Sequence, residues 1–366
     1  MVDGQLAYGR IGVPHPLPLT IDVDPDCFSC EAMKGLSGFR TASGYGLSWR
    51  LITDSLGFSL NSLNVDSNFA GGQPRELLTR DTKMSLEVVP GPDGFMAVAC
   101  SAGSEAEWLP LNSNLEATAG APTIKPEAPC LSGKPTLLWT GEGYLASFVD
   151  ERGLMVALLD EGGVIVRETA VLEDPSAAMV TRFSKNGDRV LLVAAYGTNE
   201  GQAKYGVFDS SGHLLGDLKA LGEAESTPTQ VAIATSGDGW LVATDYFIPG
   251  SFGSLLSAIS RDGVLSREER ALGGHPLIFA LGPSAYGGFL YVGAYDSGGA
   301  YSGTYESMAI FNDVGEPVFS EEVITDDAES RRIGVIQDAQ RDLVIEVSQL
   351  EGSAGDVFVQ EYGCLD

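Results

Sequence analysis

Residues 136–172 read as four short apolar runs: Thr136-Leu-Leu-Trp-Thr140, Gly143-Tyr-Leu-Ala-Ser-Phe-Val-Asp150, Leu154-Met-Val-Ala-Leu-Leu-Asp160 and Val164-Ile-Val-Arg-Glu-Thr-Ala-Val-Leu172. Each run is strand length, and Gly-containing turns separate them. The same four-run unit recurs along the chain, and that recurrence decides the fold.

Two markers fix the register of the repeat. The first precedes the second strand of each unit and usually pairs Gly with an aromatic residue: Gly44-Tyr45, Gly94-Phe95, Gly143-Tyr144, Gly187 before Val190, Gly239-Trp240, Gly288-Phe289 and a degenerate Arg341-Asp342-Leu343. The second lies between the third and fourth strands, where a polar residue precedes Gly by three: Asp160/Gly163, Asp209/Gly212, Ser260/Gly263, Asn312/Gly315 and Gln360/Gly363. Asp, Asn and Ser bond the backbone two residues on, and Gly supplies the positive φ of a tight turn. Asn112 to Leu115 and Asn64 to Ser67 fall in the same register without their Gly.

Both markers recur about every 49 residues, the length of a four-stranded propeller blade. A lone four-stranded sheet cannot bury both faces, whereas a ring of them can. The pattern therefore predicts an all-β fold, a single seven-bladed β-propeller domain over residues 1–366. After Gly363 only Cys364, Leu365 and Asp366 remain, so the last blade lacks its outermost strand. Residues 1–13, with the run Leu6 to Val13, are expected to supply it as a clasp that closes the ring and covers an edge. Residues 14–36 are then a long loop, and residues 37–363 the seven blades.

The units resemble the degenerate propeller repeats of large secreted or surface proteins of bacteria, myxobacteria among them. The residues that carry the resemblance are Gly143 to Asp150 with Ala157 to Gly163, and Asp238 to Asp245 with Ser260-Arg-Asp-Gly263. It extends over about residues 40–363, weakest in the first two blades, and implies an architecture and an exported habit. It implies no catalytic motif.

The 22 Lys+Arg against 50 Asp+Glu give a net charge of −28, a field that repels phosphate backbones and anionic membranes. No nucleic-acid partner is expected. No run reaches the eighteen or so apolar residues of a membrane span. Met1-Val-Asp-Gly-Gln5 does not read as a secretory signal, yet scarce Lys and 5 cysteines in an acidic, Gly-rich β protein point to export: periplasmic, outer-surface or secreted.

In a propeller the blade-to-blade links and the second-to-third-strand loops share one face, here called upper; the Asx turns share the lower. The longest upper loops are read as Asp245 to Gly253 and Tyr295 to Tyr305. Their Asp245, Tyr246, Phe247, Phe252, Tyr295, Asp296, Tyr301 and Tyr305 form a candidate binding surface, because aromatic rings offer rigid contact area. Asp54, Asp150, Asp245 and Asp296 fall at the ends of second strands and ring that face with negative charge, which Arg331 and Arg332 partly offset. Turn formation is the other reading of each Asp.

Asp22-x-Asp24-x-Asp26 alternates hard oxygen ligands as a calcium loop does, but Cys27 stands where an EF-hand needs Gly, so only a non-standard calcium site is open to it. Cys100 and Cys130 fall at the upper rim of neighbouring blades and are predicted to form a disulfide; Cys27 is expected to pair with Cys30, unless the loop delivers one of them to Cys364. His15, His213 and His275 lie on different loops, which leaves no Ser-His-Asp or metal-His cluster to assemble. The expectation is a non-enzymatic, exported binding or scaffold propeller that engages a protein or cell-surface partner through its upper loops. The alternative is a carbohydrate-active propeller, lectin or glycoside hydrolase, with an acidic and aromatic site at the channel mouth.

Overall fold

Each apolar run becomes a strand, and the Gly and Asx residues between runs become the turns. The computed structural model describes residues 8–21, 37–52, 58–80, 84–101, 106–118, 123–125, 136–150, 152–161, 163–172, 179–196, 203–222, 227–248, 251–271, 275–296, 304–324, 330–336, 338, 340–348 and 355–364. Among these residues there are strands and no helix.

The first strand is β1 (Tyr8–Ile21). It is followed by β2 (Ser37–Arg40), β3 (Gly44–Ile52), β4 (Phe58–Asp66) and β5 (Arg75–Arg80), then by β6 (Met84–Gly91), β7 (Gly94–Ser101), β8 (Ala106–Leu111) and β9 (Thr123–Lys125). Next come β10 (Thr136–Trp139), β11 (Tyr144–Asp150), β12 (Gly153–Leu159) and β13 (Ile165–Leu172), then β14 (Met179–Asn186), β15 (Arg189–Tyr196), β16 (Ala203–Asp209) and β17 (Lys219–Leu221). The C-terminal half holds β18 (Thr227–Ser236), β19 (Gly239–Ile248), β20 (Ser251–Ser260) and β21 (Leu265–Ala271), and β22 (His275–Pro283), β23 (Phe289–Asp296), β24 (Thr304–Phe311) and β25 (Pro317–Ile324). The chain closes with β26 (Ser330–Ile336), β27 (Asp342–Ser348) and β28 (Gly355–Cys364).

Strands β6 to β25 form five antiparallel four-stranded sheets in simple chain order. The remaining eight strands form one sheet, ordered β1-β28-β27-β26-β2-β3-β4-β5. Its two halves meet at a single parallel pair, Gly38 with Ile336. A side chain at Gly38 would run into Ile336, so the absent Cβ permits the approach. The first strands of successive groups lie side by side in the order β6, β10, β14, β18, β22, β26, β2. The result is a propeller-like all-β fold.

The core lies between the sheets. One cluster joins Leu145 and Leu154 of the β10–β13 sheet to Leu192 and Phe208 of the next; another joins Val193 and Tyr205 to Trp240 and Ile259. A further cluster packs Tyr45, Trp49 and Leu63 against Leu343, Ile345 and Val357, and so links the first group of strands to the last. A sheet packed on both faces needs apolar side chains on both, which explains why Leu191 to Ala195 in β15 are all buried. The outer β13, the end strand of its sheet, carries Val166, Arg167 and Glu168 exposed. Each buried Leu, Val or Phe contributes roughly 1.5–3 kcal/mol.

The two sequence markers face each other across the second and third strands. Gly44 pairs with Asp66 and Gly239 with Ser260. A Cβ on Gly94 would approach the Leu111 carbonyl oxygen to 2.5 Å, and one on Gly239 the Ile259 oxygen to 2.7 Å. Gly at this position is therefore a close-approach residue. In the β14–β17 sheet Arg189 takes that place opposite Asp209, while Gly187 (φ +63°) serves the preceding hairpin turn.

Several expectations are corrected. Residues 14–21, read as the start of the long loop, belong to β1: His15 pairs with Val359 and Thr20 with Asp356. Pro14, Pro16 and Pro18 are tolerated because β1 is the end strand of its sheet, although the ladder shifts register twice. The first turn of the second marker runs from Asp66 to Phe69 rather than from Asn64 to Ser67, since Phe69 N–H donates to the Asp66 carbonyl at 3.0 Å. Gln360 and Gly363 make no turn; both lie inside β28, where Gly363 pairs with Gly9.

Candidate functional site

The strand ends divide into two sets, one holding the Asx turns and the other the links between groups. At the turn end the geometry is regular. Gly163 N–H donates to the Asp160 carbonyl and Gly315 N–H to that of Asn312, both at 2.9 Å, with the glycines at φ +81° and +79°. The Asx side chain accepts further on, as where Asp209 Oδ1 takes the N–H groups of Ser211 and His213. Phe69 (φ +62°) and Leu115 (φ +60°) occupy the same left-handed position without being glycine. Both are almost fully buried, so packing offsets the backbone strain.

These turns are also where neighbouring sheets are tied together. A basic residue on an outer strand repeatedly reaches the turn of the next sheet. Arg75 meets Glu116 at 2.5 Å, Arg167 the Ser211 carbonyl at 3.0 Å, Lys219 the Gly263 carbonyl at 2.6 Å and Arg267 Glu316 at 3.4 Å. Asn186 adds hydrogen bonds to the Gly237 and Gly239 carbonyls, and Arg261 pairs with Asp188.

The densest cluster spans the junction of β26–β28 with β2–β5. Tyr45 Oη donates to Asp338 Oδ2 at 2.7 Å and accepts from Arg40 at 3.0 Å and Arg341 at 3.3 Å. Arg40 also pairs with Asp338 at 2.7 Å, and Arg341 with Glu361 at 2.5 Å. Phe69 stacks on Tyr45 with ring centroids 4.7 Å apart, and the Arg341 guanidinium lies 5.3 Å above Phe69.

Burial alone acts to raise the Asp338 carboxyl, but hydrogen bonds from Tyr45, Gln340 N–H and Arg40 outweigh it and hold it below the usual carboxylate range. Burial, then the hydrogen bond to Asp338, pushes Tyr45 up. The Glu361 hydrogen bond raises Arg341. Every group points at a partner within the cluster, so the arrangement acts as a lock. A second buried carboxylate lies nearby in the same sheet: Glu346 accepts from Tyr362 Oη at 2.6 Å and pairs with Arg10 of β1 at 2.9 Å.

Sequence reasoning missed both clusters. Arg341 stands where the repeat calls for Gly, and that departure was the available signal.

Asp209, Ser211 and His213 do come together, but Ser211 Oγ (3.0 Å) and Asp209 Oδ2 (3.1 Å) both address Nδ1, while Nε2 faces Arg167 at 2.7 Å. A nucleophile and its orienting acid need opposite ring nitrogens, so this is no catalytic triad. Among the described residues no three His, Cys, Asp or Glu side chains are grouped to hold a metal. No helix among them is long and apolar enough to cross a membrane.

At the opposite end, the predicted binding residues are placed by backbone register. Asp245 to Gly253, read as a loop, is largely strand: Asp245 pairs with Ser254, Tyr246 with Gly253 and Phe247 with Phe252. Asp245 is thus three residues short of the end of β19 rather than at it. In the adjoining sheet Tyr295 pairs with Tyr305 and Asp296 with Thr304. Asp150 does end β11, opposite Gly153. Arg331 and Arg332, read as partly offsetting the acidic ring, lie within β26 opposite Val347 and Glu346. Cys100 lies in β7 opposite Ser85, and Cys364 in β28 opposite Tyr8. Tyr301, Asp22, Asp24, Asp26, Cys27, Cys30, Asp54 and Cys130 fall outside the described residues.

No family model and no curated protein matches the chain. Among solved structures it is similar to the subtype N11 neuraminidase-like protein of A/flat-faced bat/Peru, with 10% identity, 78% of this chain and 90% of that one covered, and a TM-score of 0.47. A chain of the BBS1N complex with ARL6DN is similar at 10% identity, 97% of each chain and a TM-score of 0.49. A protein of unknown function from Dyadobacter fermentans follows at 12% identity, 98% of this chain, 100% of that chain and a TM-score of 0.47.

Proposed function

We propose that the chain is a seven-bladed propeller, closed by its N-terminal strand, that works as an exported, non-enzymatic binding or scaffold module. The partner is a protein or cell-surface ligand. It is engaged at the link end of the β18–β21 and β22–β25 sheets.

The ring reading takes the eight-stranded sheet as two blades, β2–β5 and β26–β28 with β1. It is supported by a core cluster shared between those halves and by the serial contact of the first strands.

The binding reading rests on one observation above the others. Two neighbouring sheets carry, one pair short of their ends, directly opposed aromatic residues, Phe247 with Phe252 and Tyr295 with Tyr305. Opposed residues share a face of a sheet, so each pair concentrates rigid apolar area at one spot. The turn end, by contrast, has its polar groups engaged in holding sheets together.

The test is capture of a partner from the native cell envelope by the immobilised full chain, with Tyr301 and Tyr305 replaced by Ala. Loss of capture with an unchanged circular dichroism spectrum supports the surface; unchanged capture overturns it. Turnover of a glycoside that disappears on removal of Asp150 or Asp296 would instead favour the carbohydrate-active alternative.

A further inference from the structure

In a chain with 50 acidic and 22 basic residues, a guanidinium rarely lacks a carboxylate. Arg10, Arg40, Arg75, Arg152, Arg267 and Arg341 each have one within ion-pair distance. Arg182 does not. Its side chain is half-buried on β14, and its acceptors are the Thr136 hydroxyl at 3.3 Å and the Thr181 carbonyl at 3.0 Å, both taken by Nη1. Among the described residues, no acceptor faces Nε or Nη2.

The place is built rather than incidental. β14 ends its sheet, ordered β14-β15-β16-β17, so its other side faces the neighbouring first strand β10. Across that gap Thr136 of β10 donates to the Thr181 carbonyl at 3.0 Å, and Ser147 and Thr181 share a hydroxyl contact at 2.7 Å. Thr136, Ser147 and Thr181 are all nearly fully buried. The guanidinium is thus pinned at Nη1 by a fixed hydroxyl cluster. It is left with the Nε and Nη2 edge, whose two parallel N–H groups match the two oxygens of a carboxylate.

Arg182 lies mid-strand, opposite Val193. Its place midway along the strand, away from the loops at either end, suits a small ligand rather than a protein surface.

We propose that Arg182, supported by Thr136 and Thr181, is the binding group for a small carboxylate at the inner edge between the β10–β13 and β14–β17 sheets. The site is independent of the link-end surface and of what that surface binds. The field of −28 works against anions at long range, so recognition falls to this local fork.

The probe is sodium acetate, titrated into the full chain at constant ionic strength and read by binding heat and thermal shift, with sodium chloride as the control anion. Acetate should bind and raise the melting temperature while chloride does little. Arg182→Gln should weaken acetate about tenfold, as expected for loss of a charge-assisted pair. An equal response to chloride, or undiminished acetate binding in Arg182→Gln, overturns the proposal. Should that variant fail to fold, Arg182→Lys decides: it keeps the charge and loses the fork, so unchanged acetate affinity would sink the assignment.

Discussion

The two ends of the strands solve different problems with the same repeat. At the turn end a cross-strand pair recurs, Gly opposite Asx or Ser, as at Gly44 with Asp66 and Gly239 with Ser260. It recurs with few departures, such as Arg189 opposite Asp209, and the adjoining turns tie each sheet to the next. At the link end the second and third strands stop at different heights. β19 and β20 run on to Ile248 and Ser251, whereas β11 and β12 close at Asp150 and Gly153. Uniformity marks the end that holds the molecule together, and unevenness the end available for something else.

The sharpest way to break this contrast is to add one methyl group at the turn end. Gly288 has φ +77°, and a Cβ there would run into the Phe311 carbonyl oxygen, which is backbone and cannot step aside. Its neighbour Gly287 has φ +85°, but a Cβ there meets nothing within 4 Å. Gly288→Ala should therefore cost about 3 kcal/mol or more, and Gly287→Ala only about 1 kcal/mol of backbone strain. Urea unfolding of the two variants measures the difference. Equal losses would mean that close approach is not what fixes the marker.

Next in size is the lock between the first and last strand groups. Asp338→Ala removes the acceptor that orders Tyr45 and Arg40, and an expected loss of about 2 kcal/mol reflects the half-exposed Arg40 partner. The effect depends on pH. The folded carboxyl is held below its ordinary value near 3.8, so its stabilisation is present above about pH 4 and fades as pH falls through the lower folded value. The wild-type chain should lose stability on acidification more steeply than Asp338→Asn. Parallel acid profiles would show that the lock adds nothing to stability.

These contrasts also explain what the sequence made legible. Turn chemistry is local: an Asx side chain bonds its own backbone, and Gly tolerates positive φ, so both leave a trace at fixed spacing. The trace failed where packing replaced it. Phe69 occupies the glycine-like position because its ring is buried on Tyr45, and a short-range pattern cannot register that. Pro14, Pro16 and Pro18 hid the length of β1, since Pro argues against a strand until the strand is known to lie at an edge. The lock was invisible for a different reason. Arg40 and Asp338 are separated by 298 positions, and only the pairing of β2 with β26 brings them together. Phe247 and Phe252 were recognised as residues but read as part of a loop, because Pro249 and Gly250 overshadowed the run Tyr246-Phe247-Ile248 before them.

A smaller change should stabilise the molecule. Tyr144 Oη is buried without a hydrogen-bond partner, wedged between Trp108 and Trp139, and burial pushes its phenol up to about 12. An unpaired buried hydroxyl is unfavourable, so Tyr144→Phe should gain about 1 kcal/mol at neutral pH. In the wild type burial disfavours ionisation of the folded phenol, so stability falls between pH 10 and about 12, where the unfolded tyrosine has ionised and the folded one has not. Tyr144→Phe should lack this alkaline loss. Denaturant midpoints at pH 7 and 11 check both signs.

The least disruptive change belongs at the link end, where Phe247 and Phe252 are cross-strand partners in the β19–β20 register. A cross-strand aromatic pair contributes roughly 0.2–1 kcal/mol, so replacing both with Ala should lower stability by no more than about 1 kcal/mol. The ladder beneath, from Asp245 with Ser254 to Gly239 with Ser260, is held by its own backbone bonds and by Trp240 and Ile259 in the core, and it does not depend on that pair. If the pair exists to present contact area, the double variant should fold as the wild type does and lose capture of the partner. A large fall in the urea midpoint would instead place the two rings among the groups that hold the sheet, and the distinction between the two ends would fail.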